Sequence, residues 1–243
     1  YLASERSVPP YTDCFSESKI GNPIEQFEFS ERQFSRSALN YLLGLNFLKS
    51  CVSELNIKTV IEIGGGFGTL GEILLSDTRN DIFYINIDIP PTIIFSTYYL
   101  ESILGENNVA NYLTIQEQKS HNLDALRRSL KAAVIAPWQI EQLEGEADLF
   151  VNFISFQEME PDIVTNYLSY IDRLKTKYIL LRNLREGKQV AKDGNSIGVK
   201  KPIFAEDYDG FLLNYKLVCN SVFPYGYKTV DGFNSELRLY QRK

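Results

Sequence analysis

Apolar positions fall into two rhythms that alternate along the chain. Phe34, Ala38, Tyr41, Leu42, Leu45, Leu48 and Val52 recur at helical spacing, which predicts an early helix with one buried face. Ser30-Glu31-Arg32-Gln33 stands before it and reads as a capping box, with Ser30 as N-cap and Gln33 at the third helical position. Residues 58–63 (KTVIEI), 81–87 (DIFYINI), 132–136, 148–154 (DLFVNFI) and 178–181 are short β-branched or apolar runs and are predicted strands. Helices are predicted over 69–76, 92–104, 119–131, from Pro161 to about Leu174, and over 204–213. Two final strands, 215–222 and 236–241, flank turns at Pro224-Tyr225-Gly226 and Asp231-Gly232. Five strand–helix alternations predict a doubly wound, mostly parallel α/β sheet, with a terminal strand pair at one edge.

The 243 residues suit one or two domains. The simplest division is an N-terminal extension with its helix, 1–55, packed on a domain spanning 56–243. Apolar residues at 44% and charged residues at 23% exclude a disordered or collagen-like chain. The net charge is −6 and no Lys/Arg run exceeds two, which argues against nucleic acid and anionic membrane as partners. Three scattered cysteines and a single histidine, His121, exclude a thiolate zinc site, and no metal is expected. With no signal peptide and no bilayer-length apolar stretch, the expected location is the cytoplasm. The chain opens on Tyr1 and its one methionine is Met159, so a piece of a longer polypeptide is expected.

Candidate chemistry enters at Glu62-Ile63-Gly64-Gly65-Gly66-Phe67-Gly68, between a predicted strand and a predicted helix. Glycines there allow a sharp turn and close backbone approach to a ligand. Two registers compete. Gly66, Gly68 and Gly71 fit the dinucleotide pattern, while Gly64, Gly66 and Gly68 with Glu62 fit a G-x-G-x-G pattern. The strand ends at Ile63, which favours the second, and a carboxylate beside the turn suits the cationic cofactor S-adenosylmethionine better than a pyrophosphate. Asp88 closes the next strand, placed for ribose hydroxyls of either cofactor. An NAD-linked oxidoreductase and a catalytically silent nucleoside-binding module remain the alternatives.

These residues resemble the class I S-adenosylmethionine-dependent methyltransferases, and more narrowly the sugar O-methyltransferase family. The resembling pieces are Ile20-Gly21-Asn22-Pro23, residues 37–45, the glycine loop, Asp88-Ile89-Pro90-Pro91, Tyr98-Tyr99-Leu100 and Ser155-Phe156-Gln157-Glu158-Met159. Together they span roughly residues 20–240. The resemblance implies a Rossmann-like sheet of seven strands whose last strand inserts antiparallel, and O-methylation of a sugar or glycan hydroxyl. It also implies that Pro137, Trp138 and Gln139 meet the adenine, although the acidic residue common at that point is missing. The expected cofactor set is Glu62, Gly64, Gly65, Gly66, Gly68, Asp88 and Ile89, completed by Trp138, Gln139 and Asn152.

Methyl transfer to a weakly nucleophilic hydroxyl calls for a general base. Ser155, Gln157 and Glu158 follow the fourth strand. Glu158 is the first candidate for the base, Gln157 for orienting the hydroxyl, and His121 for an alternative base. Arg36, Ser37 and Tyr41 on the early helix, with Ser155, are candidate acceptor contacts. The polar, glycine-bearing segment 185–201 is expected to cover the acceptor.

Overall fold

Ser30 and Glu31 do not open a helix. In the computed structural model they are the two turn residues of a hairpin between β1 (Phe27–Phe29) and β2 (Arg32–Phe34), paired Phe27 to Phe34 and Phe29 to Arg32. Their φ values of 49° and 62° lie in the left-handed region that two-residue hairpin turns require. Helix α1 (Arg36–Cys51) starts later, capped by Ser35, whose side chain accepts from the Ala38 N–H. Phe34, which looks like the first helical apolar position, is instead the fully buried end of β2.

The structure describes residues 1–2, 6–117, 119–191, 198–222 and 234–243. They divide into two compact units, Tyr1–Asp148 and Leu149–Lys243. The first continues with β3 (Thr59–Ile63), α2 (Thr69–Leu75), β4 (Phe83–Ile87), α3 (Thr92–Leu104), β5 (Val109–Ala110), α4 (Tyr112–Gln116), β6 (His121–Asn122), α5 (Leu123–Ser129), β7 (Ala132–Ile135) and β8 (Leu143–Glu144). Its main sheet runs β3-β4-β7-β5 and is parallel throughout. Every residue of β3, β4 and β7 is buried, as expected for parallel strands covered on both faces. The helix expected over 119–131 is confined to α5, because Asn122 caps it by accepting from the Ala125 N–H, and His121 pairs in β6 with Leu143.

The second unit holds β9 (Leu149–Phe153), α6 (Pro161–Arg173), β10 (Tyr178–Leu184), α7 (Asp207–Phe211), β11 (Tyr215–Ser221) and β12 (Ser235–Arg242). β9 and β10 are parallel. β12 lies antiparallel between β10 and β11, which is the inserted last strand that the family resemblance implies. Each unit thus contributes four main-sheet strands, one more in all than the seven expected. The addition is β5, whose two residues are too few to show a period. The mostly parallel α/β architecture is as read. The turns at 224–226 and 231–232, and residues 192–197 of the polar segment, lie outside the described residues. No helix among the described residues is long and apolar enough to cross a membrane.

Candidate functional site

The glycine loop leaves the carboxyl end of β3 in a backbone path with φ of 72°, 58° and 93° at Gly64, Gly66 and Gly68. The Gly64 N–H donates to Ile87 O at 2.8 Å, tying the loop to β4. At Gly65 the requirement is space rather than dihedral freedom. A Cβ there would stand 2.5 Å from both Asn86 Oδ1 and Glu62 Oε2. Both of those side chains are completely buried beneath the loop. Tyr41 Oη donates to Glu62 Oε1 at 2.6 Å, and the Tyr84 hydroxyl donates to its other oxygen. Burial pushes the Glu62 carboxyl up to about 7, against the opposing pull of the two tyrosine hydrogen bonds. Asn86 Nδ2 donates to Gly66 O at 3.2 Å, while its Oδ1 has no partner among the described residues. Gly65→Ala is therefore expected to cost about 1–3 kcal/mol, since the atoms in the way are packed and cannot swing into solvent. Urea unfolding measures it, and an unchanged midpoint would mean that the loop relaxes freely.

Asp88 fastens the loop from the other side. Its Oδ2 accepts from the Gly66 N–H at 2.8 Å and its Oδ1 from the Ile89 N–H at 2.7 Å. Partial burial raises its pKa, and these backbone donors oppose the rise. A carboxylate has about four acceptor positions, so two remain for ribose hydroxyls. Ile89 and Trp138 are each 60% exposed. Trp138 sits in a 3-10 turn, Pro137–Gln142, directly after β7. Its neighbour Gln139 is buried and engaged at both ends, accepting from the Ala136 N–H and donating to Tyr112 O. Gln139 thus holds the turn that carries Trp138.

The other expected residues of this unit separate. Tyr41 reaches Glu62 rather than solvent. Exposed Arg36 is bound by both oxygens of Glu25, at 2.9 and 2.7 Å. Ser37 lines a cleft beside the loop. His121 is buried, with Nε2 2.6 Å from Ile115 O.

In the second unit, three expected residues lie in one turn and a fourth, Asn152 of β9, braces it. β9 is followed by Ile154, whose φ of 76° and ψ of −35° are rare for a β-branched residue. A 3-10 turn, Ser155–Glu158, follows. Asn152 is fully buried; its Oδ1 accepts from the Phe156 N–H and from Asn183 Nδ2, and its Nδ2 donates to Ser155 Oγ at 2.6 Å. Buried Gln157 accepts from the Leu184 N–H at 2.9 Å. Glu158 stays half exposed and receives Lys188 Nζ at 2.9 Å. Asn86 escapes a reading of the sequence, where its only signal is a polar residue inside the apolar run of β4.

No family model matches the chain, and no curated protein matches it by sequence. Solved structures do. An S-adenosylmethionine-dependent methyltransferase from Clostridium acetobutylicum aligns over 85% of this chain and 91% of its own, with TM-score 0.53 and 10% identity. The small RNA methyltransferase HEN1 aligns over 91% of this chain and 27% of its own, with TM-score 0.53 and 16% identity. The mitomycin 7-O-methyltransferase MmcR aligns over 84% of this chain at TM-score 0.49 and 12% identity, and this chain spans 57% of its length. Parallel strands, glycine turn and inserted antiparallel strand give this chain the Rossmann-like α/β fold of the class I S-adenosylmethionine-dependent methyltransferases.

Proposed function

We propose that the chain transfers a methyl group from S-adenosylmethionine to a hydroxyl of a sugar or glycan precursor. The observation that carries this reading is the braced glycine loop. Its Gly66 N–H is held by Asp88, a Cβ at Gly66 would meet nothing within 4 Å, so that face of the loop is open, and Gly65 lets the loop lie directly on Glu62 and Asn86. Gly64–Gly68 accept close approach of the cofactor, Asp88 takes the ribose hydroxyls, and Ile89 and Trp138 offer apolar surface to the adenine. Glu62 and Asn86 hold the loop from below. S-adenosylmethionine supplies an electrophilic methyl group on a sulfonium. Glu158 takes the acceptor's proton on a carboxylate oxygen, and Ser155 and Gln157 shape the turn that presents it. Residues 1–55 act as an extension that roofs the acceptor. Some aligned structures are named as RNA methyltransferases, but a net charge of −6 favours a small acceptor over a polyanion. Three free cysteines suit a reducing cytoplasm.

Calorimetry with S-adenosylhomocysteine tests the cofactor. Asp88→Ala removes a charged acceptor and is expected to weaken binding by about 1–3 kcal/mol, or roughly 5- to 150-fold. Tight binding of NAD by a protein indifferent to S-adenosylhomocysteine would replace this reading with the oxidoreductase one.

A further inference from the structure

A cleft of about 240 Å³ opens in the first unit between residues 17–23 and the glycine loop. Small-molecule sites usually run from ~300 to ~1,000 Å³, so this one has room for a single ring-sized group. Ile20, Phe67 and Tyr99 give it apolar walls, and Ser37 and Thr69 add hydroxyls. Among the described residues that line it, the acidic side chain is Glu17. Its Oε1 accepts from Ser35 Oγ at 2.7 Å, and its other oxygen from the Ser35 N–H and Gln26 Nε2. A second carboxylate, Glu72, stands behind the wall and accepts from the Tyr99 hydroxyl.

Among the described residues no Lys, Arg or His lines this cleft. Phosphate and carboxylate groups are recognised by Arg and Lys, through charge-assisted hydrogen bonds. The cation that follows Ser35 in the chain, Arg36, is bound to Glu25. An anion here would meet a carboxylate and find no counter-charge. The protein donors on Glu17 answer much of its hydrogen-bonding capacity, so an ammonium is not what the walls select either. Hydroxyls beside an aromatic, aliphatic wall suit a ring with polar edges and a C–H face.

We propose that this cleft binds an uncharged, hydroxylated ring of the methyl acceptor, with its apolar face on Phe67 and Tyr99 and its hydroxyls toward Ser37 and Thr69. The proposal rests on the methyltransferase reading and adds to it a location and a charge rule: phosphorylated or carboxylated acceptor rings are rejected.

Saturation-transfer NMR on the whole chain tests it with three probes: methyl α-glucoside, glucose 6-phosphate and glucosamine. S-adenosylhomocysteine binding is measured in parallel. Methyl α-glucoside should receive saturation, and glucose 6-phosphate should not. Ser37→Trp fills the cleft from an exposed helix position and should abolish the glucoside signal while leaving S-adenosylhomocysteine binding intact. Thr69→Val keeps the shape, removes one hydroxyl, and should weaken the glucoside several-fold, which guards against a misfolded Ser37→Trp. A stronger signal from the phosphate or the amine overturns the proposal. So does a glucoside signal that is absent, or one that survives both substitutions. Loss of S-adenosylhomocysteine from a folded Ser37→Trp protein overturns it too, because the cleft would then belong to the cofactor. Glucoside binding by a native chain that ignores S-adenosylhomocysteine would instead leave the cleft standing and remove the methyltransferase reading.

Discussion

Glu158→Gln is expected to slow methyl transfer by ~10²–10⁴-fold, the usual cost of losing a general base. The exchange keeps the size of the side chain and an oxygen to accept from Lys188, now at 2.9 Å from the carboxylate. The turn Ser155–Glu158 is held by Asn152 and Gln157 through bonds that do not involve the Glu158 carboxylate as acceptor of a backbone group. Folding should therefore survive, and S-adenosylhomocysteine affinity should hardly move. The lysine must release the carboxylate when it takes a proton, so Lys188→Met should alter the pH profile of turnover rather than abolish it. His121→Ala is the control. His121 is buried against Ile115 O, so its loss should lower stability more than turnover. A fully active Glu158→Gln protein beside an inactive, folded His121→Ala protein would move the base to His121.

The second large effect is on stability against pH. The Glu62 carboxyl rises from its ordinary value of 4.5 in the unfolded chain to about 7 in the folded one, chiefly through desolvation. The folded state therefore holds a proton that the unfolded chain releases. The resulting contribution is fully present below pH 4.5 and is lost as pH rises through about 7. A difference of this size corresponds to ~3 kcal/mol. Glu62→Gln removes the titration, and Asn86 Oδ1, which lacks a partner among the described residues, is at hand for the new amide. Native protein should lose urea stability between pH 5 and 8 more steeply than the variant, and the variant should be the more stable of the two at pH 8. Glu72, also raised by burial, acts in the same direction and leaves the variant a residual slope. Equal slopes in the two proteins would mean that Glu62 is ionised throughout.

Much of this was legible in the sequence because its signals were local. β-branched runs followed by Gly64–Gly68 or Asp88 located the strand ends and the loop, and Thr92–Leu104 falls where its pattern predicts. Two kinds of feature were not legible. Ser30-Glu31-Arg32-Gln33 satisfies a capping pattern, yet pairing of β1 with β2 decides its backbone; such a contest is settled by tertiary packing. Side-chain bonds across distant segments also leave no periodicity. The bond from Tyr41 to Glu62 spans 21 residues and that from Gln139 to Tyr112 spans 27. Tyr41, read as an acceptor contact, is for that reason tied beneath the loop.

The crowding at Gly65 bears on descent. Its φ is not in the left-handed region, so the backbone alone would accept alanine; Glu62 and Asn86 are what forbid it. Positions 62, 65 and 86 are thus bound to one another in the order in which they can change. An alanine at 65 becomes accessible without strain only to a lineage in which both the acid and the amide have already shortened, whereas those two can shorten first with the glycine in place. Drift through this loop has a direction, set by two buried side chains that lie beneath it.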